Sequence, residues 1–91
     1  MKLSSFEIRQ RILRKMVRHN WWGSKHTAFG NIPKGFPKEF WKEVKNELEQ
    51  LAREGFVVKK PTGYGLHVSL NVGMKAEIEK TIFGSNSSLE A

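Results

Sequence analysis

Residues 37–70 read PKEFWKEVKNELEQLAREGFVVKKPTGYGLHVSL, a charged amphipathic stretch ended by Gly55 and followed by two apolar runs around a glycine-rich turn. Pro37 suits the first turn of a helix and Gly55 its C-terminal cap, so the spacing predicts a helix over residues 37–54. Phe40, Trp41, Val44, Leu48, Leu51 and Ala52 recur at helical intervals and form its buried face. Residues 56–60 then read as a strand, 61–65 as turn, and 66–70 as a second strand alternating apolar and polar. Helix followed by hairpin is the element pair that the rest of the chain has to accommodate.

Working towards the N-terminus, Pro33, Gly35 and Pro37 punctuate a turn before that helix, and residues 28–32 hold at most a turn or two of helix. Residues 25–29 read as a short strand or an extended approach to it. Ser4 with Glu7 three residues later fits a capping box, which predicts a first helix from there to about Arg18. Ile8, Ile12, Leu13, Met16 and Val17 fall on its apolar face, and Arg11, Arg14, Lys15 and Arg18 form a basic stripe on the opposite side. Arg9 projects into the apolar arc, with its stem along the core edge and its head in water. Trp21 and Trp22 read as core or core-edge ballast in a loop, with a base-stacking platform as the alternative. Towards the C-terminus, Met74, Ile78 and Ile82 lie four apart on a short final helix ending near Gly84, and residues 85–91 read as a disordered tail. The fold class is therefore α+β: one domain over residues 1–83, with a helical core, a C-terminal hairpin and a short last helix.

That order is the order of a winged helix-turn-helix domain. The chain is also similar to the small archaeal winged-helix DNA-binding proteins over residues 5–83. Lys25-His26-Thr27, Ile32-Pro33-Lys34-Gly35-Phe36-Pro37 and Leu51-Ala52-Arg53-Glu54-Gly55-Phe56 carry the resemblance, with Lys60-Pro61-Thr62-Gly63-Tyr64-Gly65 and Val68-Ser69-Leu70-Asn71. It implies a winged-helix fold and a DNA-binding or transcriptional role, the fold more directly than the role.

Charge points the same way. The 91 residues carry 16 Lys and Arg against nine acidic residues, a formal net charge of +7, which makes nucleic acid the first partner to consider. All nine acids are Glu, Cys is absent and only three His are present, so no nucleophile, base and orienter assemble and an enzyme is not expected. His19, His26 and His67 lack helical metal-pair spacing, and neither metal nor cofactor is expected. No apolar run approaches the roughly 20 residues of a membrane helix. Met1-Lys2-Leu3-Ser4-Ser5 lacks the apolar stretch of a secretory signal, so the expectation is a cytoplasmic protein without membrane contact.

On the 37–54 helix, Lys38, Lys42 and Lys45 gather on one flank with Glu49 intruding, while Glu39, Glu43 and Glu47 descend the other. One reading is an ordinary solvated face of mixed sign. In the other, the Glu flank turns towards basic groups on the first helix, and the Lys flank meets double-stranded DNA. The lysines would then hold phosphate, and Asn46 could pair with an adenine edge. Glu39 could accept from a cytosine amine or simply favour the helix N-terminus. Lys34 in the preceding turn suits a backbone contact. Lys59, Lys60 and Tyr64 form a candidate wing, unless Tyr64 packs back on Pro61. Two other functions fit the same residues. One is protein docking through Trp21, Trp22 and Phe83, including a homodimer through the last helix; the other is RNA or ribosome-associated binding.

Overall fold

A computed structural model describes residues 2–84; the tail expected over residues 85–91 lies outside the described residues. The first helix, α1, spans Ser5–Arg18. Its capping box has both arms: Glu7 N–H donates to Ser4 Oγ at 3.1 Å, and Ser4 N–H donates to Glu7 Oε1 at 2.9 Å. The bond from the Ser4 backbone holds the Glu7 carboxyl below its usual range. Ile8, Ile12, Leu13 and Met16 are the buried stripe.

The chain then turns at Asn20, whose φ of 60° is a left-handed conformation that Asn tolerates better than most side chains. Residues 21–23 are more ordered than a loop reading implies. Leu70 N–H donates to the Trp21 carbonyl at 2.7 Å and Gly23 N–H to the Leu70 carbonyl at 3.1 Å, so this segment lies along the end of the hairpin. Both tryptophans are half-buried, and Trp21 stacks on His19 with ring centroids 4.5 Å apart.

Strand β1 is only Thr27–Ala28. Two single turns of 3-10 helix follow, Phe29–Asn31 and Pro33–Gly35, in place of one small helix. The second long helix departs from the expected span. Lys38–Phe40 forms another 3-10 turn, and α2 proper runs Trp41–Arg53. The physical reason lies in Pro37, whose backbone is extended at ψ 144° and whose side chain offers no cap. Trp41 Nε1–H bonds the Phe36 carbonyl at 2.9 Å and fixes where the regular helix begins. A 3-10 turn advances about 120° per residue rather than about 100°, so Lys38 and Glu39 sit rotated from their positions on an ideal α-helix.

Strands β2 (Val57–Thr62) and β3 (Gly65–Leu70) pair antiparallel, and β1 joins on the other side of β3, giving the order β1-β3-β2. The hairpin is longer and its turn shorter than expected, with Thr62 opposite Gly65 and only Gly63 and Tyr64 between them. Pro61 can lie within β2 because β2 is an edge strand and needs no donor on its free side. Gly65 takes φ 120°, a conformation open to glycine at the base of this tight connection.

Val57, Val68 and Leu70 turn inward onto Ile12, Leu13 and Met16 of α1 and Val44, Leu48 and Leu51 of α2. The last helix, α3 (Lys75–Phe83), completes the core with Ile78 and Ile82. Gln10 Nε2 of α1 donates to the Thr81 and Gly84 carbonyls at 3.0 and 2.8 Å, tying the end of α3 down. Among the described residues the architecture is α+β, three α-helices around a three-stranded antiparallel sheet. Among the described residues no helix is long and apolar enough to cross a membrane.

Candidate nucleic-acid interface

The two flanks of α2 meet different surroundings. On one, Arg9 of α1 reaches across: its Nε donates to Glu47 Oε2 at 2.7 Å, and its two terminal nitrogens grip both oxygens of Glu54 at 2.8 Å. The Arg9 head also lies over the Phe56 ring, 5.6 Å from its centroid. Arg9 and Gln50 together hold the Glu54 carboxyl at a pKa of about 2, and the same contacts, Glu54 first, raise that of Arg9. Arg9 is thus not a snorkelling cation with its head in water; it is the clasp between the two long helices.

Lys42, Lys45 and Asn46 are exposed on α2, as are Lys38 and Glu39 in the turn before it and Lys34 one turn earlier. None of these lysines is in an ion pair with a described carboxylate. The Lys38 ammonium leans 5.9 Å from the centroid of the Trp41 ring, a loose cation–π contact that positions it at the start of α2.

The hairpin is arranged differently from the sequence reading. Lys59 and Lys60 are adjacent on β2 and therefore point to opposite faces of the sheet. Lys59 pairs with Glu49, so the carboxylate that intrudes on the Lys flank is neutralised by the hairpin itself. Lys60 Nζ donates to the Gly23 carbonyl at 2.6 Å and braces the segment along β3. Tyr64 does not fold back on Pro61; it is 97% exposed at the tip. Beneath it, Thr62 Oγ1 accepts from Tyr64 N–H at 3.0 Å and donates to the Gly65 carbonyl at 2.8 Å, which stiffens the turn.

Two groupings were not legible from spacing. His26 and His67, 41 residues apart in sequence, bring their Nδ1 atoms to 2.8 Å across the β1–β3 junction. No third His or Glu joins them among the described residues in a way that could hold a metal. The second is a cleft between α1 and the turn at residues 33–36, lined by Arg11, Arg14, Lys15, Arg18, Gly35 and Phe36. The basic stripe itself was visible in sequence; its closure against the turn was not. Of the aromatics suited to docking, Phe83 is exposed at the end of α3, whereas Trp21 and Trp22 are half-buried.

Comparison with protein-family models, curated proteins and solved structures finds no match to this chain.

Proposed function

We propose that the chain is a winged helix-turn-helix protein that binds double-stranded DNA, a small transcription-associated regulator of the cytoplasm. In this reading α2 and the turn before it are the recognition element and the β2–β3 hairpin is the wing. The observation that carries the reading is the sorting of charge on α2. Arg9 draws Glu47 and Glu54 towards α1, and Lys59 neutralises Glu49, while Lys38, Lys42, Lys45 and Asn46 stay exposed, with Glu39 and Glu43 the exposed carboxylates left on this element. The element order, with a short strand and two tight helical turns between α1 and α2, and the sheet order β1-β3-β2 are compatible with that fold.

At about 1.5 Å per residue the 13 residues of α2 make a rod of about 20 Å, and a helix of ordinary diameter fits the roughly 12 Å opening of the major groove. Lys34, Lys38, Lys42 and Lys45 would then hold phosphates, which gives affinity without sequence preference. Asn46 would offer its amide to an adenine edge, and Glu39 its carboxylate to a cytosine amine. Tyr64 at the stiff tip would enter the neighbouring groove, where an exposed aromatic can wedge against bases. The two wing lysines serve differently, as Lys60 braces the body and Lys59 sits beside the recognition helix.

The test is a salt titration of binding to mixed-sequence duplex. Three phosphate contacts from Lys38, Lys42 and Lys45 alone set a slope of log K against log salt of about −3. Lys38→Ala with Lys42→Ala should flatten the slope by about two, while Lys75→Ala with Lys80→Ala on α3, an equal loss of charge, should leave it nearly unchanged. Equal effects from both pairs would refute α2 as the contact surface. Preference for structured RNA at matched salt would refute the duplex as the partner.

A further inference from the structure

The cleft between α1 and the 33–36 turn has a volume of about 300 Å³, and its walls carry four cations and no carboxylate. Arg11, Arg14, Lys15 and Arg18 lie at i, i+3, i+4 and i+7, so all four project from one face of α1. Like charges at these spacings each cost a helix about 0.2–0.5 kcal/mol, and the end of α1 offsets only part of that for Lys15 and Arg18 in its last turn. None of the four is in an ion pair with a described carboxylate. Arg11 is partly answered by Glu7 on its own helix and shares a neighbouring cleft with Glu39. Arg14, Lys15 and Arg18 have no such acidic neighbour among the groups that line the cleft.

The walls are also held in place. Arg14 donates to the Ile82 carbonyl at 3.1 Å and Lys15 to the Asn31 carbonyl at 3.0 Å. Gly35 is what lets Lys15 take that position: a Cβ there would lie 2.8 Å from the Lys15 ammonium. Buried Phe36 gives the cleft an apolar side. Partial burial, and after it the nearby Arg18, lower the Lys15 pKa. A ligand that answers the four cations must bring concentrated negative charge and several acceptor oxygens. Guanidinium forks match phosphate oxygens in pairs, and a lysine adds a point charge beside them.

We propose that this cleft is a phosphoryl-anion site, with Arg14 and Arg18 as bidentate ligands and Lys15 as the fixed cation between them. The phosphoryl group belongs either to a free phosphate ester or to a nucleic-acid backbone running past α1, since Lys34 and Lys38 flank Gly35 and Phe36 along the chain. The site does not depend on α2 contacting DNA, and the experiment separates the two.

The probe is inorganic pyrophosphate titrated into the full chain, followed by backbone amide NMR shifts at constant ionic strength. Saturable shifts confined to α1 and residues 33–36 are expected, with Kd raised at least tenfold by Arg14→Gln with Arg18→Gln. Lys38→Ala with Lys42→Ala should change that Kd less than twofold. Because Arg14 also holds Ile82, Arg18→Gln alone is the second variant; the Arg18 side chain makes no hydrogen bond among the described residues, and a severalfold weaker Kd is expected with the fold intact. Restoring charge as Arg14→Lys with Arg18→Lys should recover only part of the affinity, since the forks are lost. Absence of saturation up to about 10 mM, or equal weakening by the α2 variant, would overturn the proposal. Binding to duplex by the Arg14→Gln, Arg18→Gln variant then names the source. An unchanged salt slope assigns a free phosphate ester, and a slope lowered by about two assigns the backbone. Pyrophosphate binding with no duplex binding by the wild-type chain would leave this site standing and remove the reading of α2.

Discussion

Replacing Arg9 with Met tests the device that sorts charge on α2. The substitution keeps an unbranched apolar stem near Phe56 and removes three charge-assisted bonds, one to Glu47 and two to Glu54. The two carboxylates differ in what they lose. Glu47 has a side chain only 13% exposed, so water replaces its partner poorly and its loss costs about 1–1.5 kcal/mol. Glu54, 35% exposed, is screened, and its bidentate pair contributes at most about 1 kcal/mol. The sum is about 2 kcal/mol, which for a domain of this size lowers Tm by on the order of 10 °C. Urea unfolding at pH 7 measures it directly. Acid adds an independent check. Folded Glu54 titrates near 2 against an ordinary 4.5, so on acidification the unfolded chain takes up its proton first. Its stabilisation is whole above about pH 4.5 and lost as pH falls towards 2, a decline of about 1 kcal/mol after screening. That decline should be smaller in the Arg9→Met variant, where only the Gln50 bond still favours the Glu54 carboxylate. A loss under about 0.5 kcal/mol at pH 7, with an unchanged acid limb, would refute the clasp and with it the reason for the one-sided charge on α2.

Other substitutions probe the rest of the fold. Ser69 is fully buried and its hydroxyl has no hydrogen-bond partner among the described residues, so Ser69→Ala should be neutral or stabilising by up to about 1 kcal/mol in chemical denaturation. Leu48 is fully buried between the helices and the sheet; Leu48→Ala should cost about 2–5 kcal/mol, and under 1 would contradict the packing. Gly65→Ala meets open space but not an allowed backbone at φ 120°, so a loss of about 1–3 kcal/mol is expected with the hairpin amides exchanging faster. Tyr64→Ala should leave Tm unchanged within about 1 °C, since the side chain is 97% exposed, yet weaken duplex binding if the wing engages a groove.

The elements were legible where periodicity and caps coincide. The capping box fixed the start of α1, and the alternation at residues 66–70 and the glycine at 55 placed the hairpin after α2. Failures came where tertiary contact decides. Pro37 looks like a helix start in isolation, but its extended backbone and the Trp41–Phe36 bond defer regular helix to residue 41. Among the candidate site residues, exposure of Lys42, Lys45 and Asn46 followed from helical projection, and that of Lys34 from its place between Pro33 and Gly35 in a turn. The partners of Lys59 and Lys60 did not, because Glu49 and Gly23 are brought there by the packing of β2 on α2 and of residues 21–23 on β3. Of the Glu flank only Glu47 turns inward, Glu39 and Glu43 staying exposed; that Arg9 gathers Glu47 together with Glu54 was not readable, since it depends on how α1 crosses α2.

The Lys59–Glu49 pair makes the hairpin and α2 competitors for one ammonium group. A phosphate arriving between them would share the Lys59 ammonium with Glu49, whose carboxylate repels the same strand. If α2 and the hairpin meet DNA as proposed, Lys59 would act as an exchangeable latch, and its share of counterion release would be fractional. Glu49→Gln would open the latch beforehand, and such a variant should hold any polyanion more tightly and less selectively than the parent.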